Sequence, residues 1–272
     1  MKTFLARLLV TAIGIPLTIT SIFLGDKDFF FVMVLVTVVL MANEFSDMAG
    51  EKEYLKWSSI VTAVAAYMVA YASITDGFEQ IILCLAGATI IFLGAEVLSK
   101  KLWVERDNPL RLILYLGVLS AFLAAIRAIP GDTIVLGFQT GIGSILVLDF
   151  LCVVWAMDIF AYLIGRKIES PHLCPEISAG KTIGGSIAGF AVAVIVAALF
   201  AFVLHKPSLV IIGPVVGILG QIGDLVESLL KRKFGVKDSG TLFPGHGGML
   251  DRLDSVIYSA PVVYFLFRLI GF

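Results

Sequence analysis

Charged residues and cysteines are scarce in this sequence. Asp, Glu, Lys and Arg account for only 15% of the 272 residues, whereas hydrophobic residues account for 59% and the mean hydropathy is +1.00. This composition argues against a water-soluble protein and favours one surrounded largely by hydrocarbon. The cysteines at positions 84, 152 and 174 show no metal-ligand spacing. We therefore interpret them as apolar fillers rather than as disulfide or metal sites.

The sequence also lacks internal repeats and the low-complexity or Pro-rich linkers that would mark a second domain. We predict one polytopic membrane domain over residues 1–272. Residues 1–126 are expected to be mainly scaffold helices, whereas 143–272 hold the catalytic helices and cytoplasmic loops. Glu44 and Glu96 are charged exceptions in the scaffold half, and for each a snorkelling or capping role is favoured over a catalytic one.

Long apolar runs make up most of the sequence. Crossing an apolar layer of roughly 30 Å takes about 20 helical residues, and nine segments come close to this length. The predicted fold is an all-α integral membrane protein with about nine transmembrane helices. The predicted spans are 5–24, 29–45, 57–75, 78–98, 110–126, 143–164, 183–204, 209–230 and 256–272.

Basic residues are distributed unevenly between the two sides of these spans. The first span lacks a convincing signal-peptide cleavage site, so we interpret it as a retained helix. With the N-terminus in the cytoplasm, only Lys27, Arg127, Lys206 and Arg268 of the 20 basic residues lie on the outer side. The positive-inside rule supports this orientation and, with an odd number of spans, places the C-terminus on the opposite side. A basic inner face attracts lipid headgroups and polyphosphates, and nothing here implies nucleic acid.

The eighth span carries a polar stripe at helical spacing. Its carboxylates, Asp224 and Glu227, are costly in hydrocarbon unless they face a wet cavity, a cation or a basic partner. Both are candidate functional residues, and the alternative is a buried network that only fixes helix packing. The stripe consists of Gly217, Gly220, Gln221, Asp224, Glu227, Ser228 and Lys231.

The sixth span has a second stripe, with Asp158, Tyr162, Gly165 and Arg166, that ends at the cytoplasmic face. Asp158 and Tyr162 are one turn apart, so a local structural hydrogen bond is the alternative to a role in a site. Asp149 lies deeper on the same span, and its role is ambiguous from the sequence.

A cytoplasmic loop after the sixth span contains Ser178, Lys181 and Thr182, followed by glycines that open the seventh span. Exposed N–H groups at a helix N-terminus suit an anion, which favours phosphate binding. Gly180-Lys181-Thr182 resembles the end of a Walker A loop, but Pro175 stands where that motif needs a glycine, so a P-loop fold is rejected. Tight helix packing is the alternative explanation for the glycines.

A second cytoplasmic loop follows the eighth span. A basic patch that binds acidic lipids would explain its first residues but not its later glycines, histidine and aspartates. Glycine permits close approach of a ligand, histidine can relay a proton, and aspartates offer hard oxygen ligands to Mg²⁺. The residues concerned are Lys231, Arg232, Lys233, Lys237, Asp238, His246, Gly247, Gly248, Asp251, Arg252 and Asp254.

This spaced pattern resembles the signature of the phosphatidate cytidylyltransferases, also called CDP-diacylglycerol synthases. The family's multi-span helical architecture agrees with the predicted spans over nearly the full chain. The first loop keeps the family's Ser, Lys and Thr but has Ala179 and Gly184 in place of its usual Pro and Glu. The matching signature is Ser228-x-x-Lys231-Arg232, Lys237-Asp238 and His246-Gly247-Gly248-x-x-Asp251-Arg252-x-Asp254.

The resemblance implies condensation of CTP with phosphatidic acid to CDP-diacylglycerol and pyrophosphate. It implies an enzyme of the prokaryotic cytoplasmic membrane, with its site facing the cytoplasm, and a homodimer. The expected cofactor is Mg²⁺, and a second, monovalent or divalent cation is left open. A CTP-dependent enzyme acting on an isoprenoid lipid is one alternative. A transporter is another, although we see no paired broken helices across a repeat.

Roles for individual residues follow from the resemblance and from their chemistry. His246 would orient phosphates or protonate the leaving pyrophosphate, with a loop-stabilising hydrogen bond as the alternative. Predicted metal ligands are Asp224, Asp251 and Asp254, and predicted catalytic residues are Asp224, Asp251, His246 and Lys237. Predicted contacts to CTP or lipid phosphate are Ser178, Lys181, Thr182, Lys231, Arg232, Arg252, Gly247, Gly248, Tyr162 and Arg166. Predicted supporting polar residues are Asp158, Glu227, Ser228 and Asp238.

Overall fold

The computed structural model describes residues 2–102, 112–135, 137–243 and 247–272. Within these ranges the chain forms nine α-helices. A π-helical segment, Leu112–Val118, leads into the fifth, and a 3₁₀ segment, Pro207–Ile211, leads into the eighth. The helices are α1 (Lys2–Phe23), α2 (Lys27–Ala49), α3 (Glu53–Thr75), α4 (Glu79–Ser99), α5 (Leu119–Arg127), α6 (Ile142–Lys167), α7 (Ile183–Val203), α8 (Ile212–Phe234) and α9 (Leu250–Leu269).

Six helical segments in the described part of the chain are long and apolar enough to cross a membrane. Shorter apolar helices lie at Ala12–Phe23 and Leu114–Arg127. These findings confirm a mostly helical membrane architecture, while the count of nine spans and the side of each terminus stay predictions. Helix α9 is not among the six. It carries Asp251, Arg252 and Asp254 in its first turns, and neighbouring helices bury most of its length.

Two short antiparallel hairpins interrupt the helices where the sequence predicted loops. The first pairs β1 (Asp132–Val135) with β2 (Phe138–Gly141) and joins α5 to α6. The second pairs β3 (His172–Cys174) with β4 (Ser178–Thr182) and joins α6 to α7. The predicted phosphate loop is therefore a strand that runs directly into a helix.

Glycines let two helix pairs approach closely enough to build the site. A Cβ atom on Gly185 of α7 would lie 2.5 Å from the carbonyl oxygen of Ala161 and 2.9 Å from Cα of Gly165, both on α6. A Cβ atom on Gly223 of α8 would lie 2.7 Å from Cβ of Tyr258 on α9. Real Cβ atoms do not tolerate such contacts, so both crossings require glycine.

Candidate active site between α8 and α9

Helix α8 presents three charged side chains toward α9. Asp224, Glu227 and Lys231 are spaced by three and four residues, which places them on one helical face. Glu227 and Lys231 are buried. The polar stripe predicted from the sequence therefore packs against the first turns of the last helix.

Three carboxylates meet between these helices, Asp224 and Glu227 from α8 and Asp254 from α9. One oxygen atom of each lies within 4.8 Å of the others. Glu227 and Asp254 are buried, with 1% and 6% of their surfaces exposed, whereas Asp224 is only partly buried. Protein thus encloses one side of the cluster, and Asp224 marks its open side.

The donor set of this cluster fits a hard divalent cation. Carboxylate oxygens are the preferred protein ligands of Mg²⁺. Glu227 makes an ion pair with Lys231, but its oxygens accept no hydrogen bond of regular geometry from the described residues. Buried carboxylates without such partners are costly unless a cation compensates them. The cluster includes Glu227, a candidate functional residue that was predicted to support the site and not to bind the metal, in addition to the predicted ligands Asp224 and Asp254.

Lys231 separates this cluster from the third predicted ligand, Asp251. Its Nζ atom lies 2.5 Å from Oε2 of Glu227 and 2.5 Å from Oδ1 of Asp251. The lysine therefore forms ion pairs with carboxylates from both helices at once. In this arrangement Lys231 serves as an internal counter-charge rather than as an exposed phosphate ligand, and Asp251 stands beside the cluster rather than within it.

Asp251 lies before the ninth predicted span, in a well-defined hydrogen-bonding environment. Its Oδ2 atom accepts hydrogen bonds from the backbone N–H of Ser239 at 2.9 Å, the Ser239 hydroxyl at 2.9 Å and the N–H of Gly248 at 2.8 Å. Burial raises the pKa of this carboxyl, but its interactions with Glu227 and Lys231 and the hydrogen bond from Gly248 outweigh burial and lower it to about 2. Asp251 is therefore a carboxylate throughout the physiological pH range.

The β3–β4 hairpin brings a second lysine to the open side of the cluster. Nζ of Lys181 lies 2.7 Å from Oδ2 of Asp224. The next residue, Thr182, caps α7, because its side-chain oxygen accepts a hydrogen bond from the N–H of Gly185 at 3.2 Å. Ser178 begins the same strand. The strand and the helix that follows it therefore deliver Lys181 to the carboxylates.

Arg232 holds the hairpin in place. Its Nε atom donates to the carbonyl oxygen of Ile177 at 3.2 Å, in the turn that leads into β4, and its Nη1 atom donates to the carbonyl of Val236 at 3.1 Å. We predicted a phosphate contact for this residue. The structure instead shows its guanidinium on two backbone carbonyls that connect the end of α8 to the hairpin.

The residues predicted from α6 divide into two groups. Asp158 interacts electrostatically with Asp224, Lys181 and Arg252, so it belongs with the cluster. Tyr162 is 63% exposed, and its hydroxyl accepts a long hydrogen bond, 3.4 Å, from the exposed Arg166. These two side chains lie together on the surface of the helix and not among the carboxylates.

The remaining predicted residues differ in their exposure. Lys237, Asp238 and Arg252 are exposed, whereas Ser228, Gly247 and Gly248 are wholly or partly buried. His246 lies outside the described residues, so its catalytic role stays a prediction.

Two residues near the site were not predicted to take part in it. Glu44 on α2 is buried and accepts hydrogen bonds from the backbone N–H groups of Met249 and Leu250, at 2.7 Å and 3.0 Å. It also accepts one from the hydroxyl of Ser239 at 3.1 Å. The sequence favoured snorkelling or capping for Glu44, and the structure shows a cap, but on a helix about 200 residues away. No sequence signal singled out Ser239.

A family model described as the cytidylyltransferase family matches residues 5–270. A phosphatidate cytidylyltransferase of Synechocystis is 30% identical over 95% of this chain and 94% of its own length. The chain belongs to the phosphatidate cytidylyltransferase family. The resemblance inferred from the spaced signature is therefore confirmed.

Further phosphatidate cytidylyltransferases show the same relationship over parts of the chain. That of Rickettsia bellii is 31% identical over 78% of this chain and 90% of its own length. That of Bacillus subtilis is 44% identical over 44% of this chain and 46% of its own length.

The departure from the usual family loop has a structural counterpart at Gly184. Its backbone N–H donates to the hydroxyl of Ser170 at 2.9 Å, and a Cβ atom there would lie 3.1 Å from Cβ of Ser170. In this chain Ser170 therefore occupies the space next to the position where the family usually has a Glu.

Proposed function

We propose that this chain condenses CTP with phosphatidic acid to form CDP-diacylglycerol and pyrophosphate. The observation that carries the proposal is the carboxylate cluster of Asp224, Glu227 and Asp254, flanked by Lys181 and Lys231, in a member of this family. The expected location is a prokaryotic cytoplasmic membrane, with the site on the cytoplasmic side. A homodimer is a further expectation from the family resemblance.

The reaction requires one bond to form and one to break at the α-phosphorus of CTP. An oxygen atom of the lipid phosphate attacks this phosphorus, and the bond to the bridging oxygen of the β-phosphate breaks with its electron pair leaving on pyrophosphate. The lipid phosphate is already an adequate nucleophile, so no serine or cysteine nucleophile is needed. Catalysis rests mainly on charge neutralisation and in-line positioning.

Asp224, Glu227 and Asp254 would hold Mg²⁺, with Asp251 beside them across Lys231. A bound Mg²⁺ would neutralise triphosphate charge and stabilise the leaving group. Whether a second cation joins it is left open. Among the chain's own cations, Lys181, Lys237 and Arg252 are assigned to the phosphates of CTP or lipid. Tyr162 and Arg166, on the surface of α6, are assigned to the lipid phosphate.

Lys181 has two possible partners during this reaction. In the structure its ammonium pairs with Asp224 at 2.7 Å. A triphosphate carries several negative charges and competes for the same ammonium. Transfer of Lys181 to the nucleotide frees an oxygen of Asp224 for the cation, so nucleotide and cation binding are expected to be cooperative.

The test is an assay of the detergent-purified chain with labelled CTP, phosphatidic acid and Mg²⁺. Wild type should form labelled CDP-diacylglycerol, and Asp224→Asn and Asp254→Asn should lose about 10²- to 10³-fold in turnover, because each removes charge from the site. Asp132→Asn on the β1–β2 hairpin is the matched control and should stay active.

Two outcomes would contradict the proposal. Label in an isoprenoid lipid, with none in CDP-diacylglycerol, would mean that the acceptor is wrong. A folded wild type that labels no lipid would exclude the reaction itself.

A further inference from the structure

The carboxylate of Glu44 connects the second helix to the start of the last one. It accepts hydrogen bonds from the N–H of Met249 at 2.7 Å, the N–H of Leu250 at 3.0 Å and the hydroxyl of Ser239 at 3.1 Å. The first N–H groups of a helix have no partner within the helix. Met249, at the N-cap position of α9, provides no side-chain cap of its own. Glu44 therefore supplies from α2 the cap that α9 lacks.

The loop before α9 is shaped around this carboxylate. A Cβ atom on Gly240 would lie 2.8 Å from Cδ of Glu44, and one on Gly248 would overlap both Glu44 and Ser239. Both glycines therefore leave space that the carboxylate occupies. Gly248 also donates its N–H to Asp251, so the same backbone contacts both acidic side chains.

Ser239 links Glu44 to the candidate active site. Its hydroxyl oxygen lies 3.1 Å from Oε2 of Glu44 and 2.9 Å from Oδ2 of Asp251. A serine hydroxyl has one hydrogen to donate, so the two carboxylates share it. Asp251 in turn pairs with Lys231, which pairs with Glu227 of the cluster. A continuous series of polar contacts thus runs from α2 to the proposed cation ligands.

We propose that Glu44 is a positioning residue for the active site. It holds the first turn of α9 and the Ser239 hydroxyl so that Asp251 and Asp254 face α8. It acts through Ser239 and two backbone N–H groups, not through substrate. The inference rests on the proposed function, because it names a residue that sets the geometry of that same site.

The test compares Glu44→Gln, Ser239→Ala and the double variant. An amide in place of the Glu44 carboxylate turns an NH₂ group toward a buried donor. We expect kcat to fall by about 10- to 100-fold, as for other residues that orient catalytic ligands, with the KM for CTP close to that of wild type. The effects of the two substitutions on kcat should not multiply, because the residues act through one hydroxyl.

Hydrogen exchange gives a second readout that does not depend on activity. In Glu44→Gln, peptides covering 237–243 and 247–254 should exchange faster while the other helices keep their protection. The matched control is Glu79→Gln on α4. The Glu79 carboxylate accepts a hydrogen bond of 2.8 Å from the hydroxyl of Tyr264, and this contact lies away from the site. Glu79→Gln should change neither kcat nor exchange near α9.

Three results would overturn the inference: an unchanged kcat in Glu44→Gln, multiplicative effects in the double variant, or faster exchange spread over all helices. If Glu44→Gln does not fold, Ser239→Ala becomes the deciding variant. A wild-type kcat in Ser239→Ala would overturn the proposed connection between Glu44 and the active site through Ser239. If wild type forms no CDP-diacylglycerol, the proposed function fails. Hydrogen exchange then still tests the positioning role. Faster exchange confined to 237–243 and 247–254 in Glu44→Gln supports this role, and unchanged exchange there overturns it.

Discussion

Lys231 stabilises the fold at the scale of a single residue, because it pairs with two buried carboxylates. Its side chain is 11% exposed, and those of Glu227 and Asp251 are 1% and 8% exposed. Removing one member of a buried ion network leaves charge without compensation, which typically costs about 3–5 kcal/mol. We expect Lys231→Met to lose about that much unfolding free energy in a detergent denaturation titration.

The matched control for Lys231 is Lys181→Met. Lys181 also pairs with a carboxylate, but its side chain and that of Asp224 are 23% and 36% exposed. Water reaches Asp224 in this pair, although Nζ of Lys181 is itself buried, so the change should cost less than Lys231→Met, about 1 kcal/mol. Equal losses of unfolding free energy in the two variants would show that Lys231 contributes no more to stability than Lys181 does.

At the scale of elements, the crossing of α6 and α7 depends on Gly185. Its Cβ position is 2.5 Å from the carbonyl oxygen of Ala161. Gly185→Ala should force the helices apart, at a cost of about 1–3 kcal/mol for overpacking. It should also raise the KM for CTP, because β4 and Lys181 precede this helix directly. Thermal unfolding and a CTP titration measure the two effects.

Gly87→Ala provides the comparison for Gly185, since a Cβ atom on this α4 glycine meets nothing within 4 Å. It should leave the KM for CTP unchanged and keep or slightly raise stability, because alanine favours helix over glycine. A similar loss of stability in both variants would mean that the effect of Gly185→Ala does not come from the crossing of α6 and α7.

The positions of the helices were predictable from the sequence, whereas the contacts between residues of different helices were not. The predicted span 143–164 falls within Ile142–Lys167, because a long apolar run determines it locally. The last helix was predicted to begin at residue 256 but begins at Leu250. Its first turns carry charges typical of a loop, and the helix forms there because Glu44 of α2 caps it and Lys231 of α8 pairs with Asp251. Contacts between distant residues, such as Glu44 with Leu250, depend on tertiary packing that no local pattern reveals.

At the scale of the whole molecule, the site draws on both halves of the chain. The carboxylates come from α8 and α9, Lys181 comes from the β3–β4 hairpin, and Glu44 comes from a helix predicted to be scaffold. The acidic residues of the candidate site are therefore only part of what builds it. The early helix α2 supplies the carboxylate that caps the last one.

The length of α6 predicts that the two hairpins lie on opposite sides of the membrane. This helix has 26 residues, and at about 1.5 Å per residue it exceeds the roughly 30 Å apolar layer. The β1–β2 hairpin precedes it and the β3–β4 hairpin follows it. In a Cys174→Ser background, an impermeant maleimide should label Thr133→Cys in intact cells. It should label Ala179→Cys only in inverted vesicles, because Lys181 and the site are expected to face the cytoplasm. Labelling of both positions from one side would contradict the predicted topology and, with it, a cytoplasmic supply of CTP to this site.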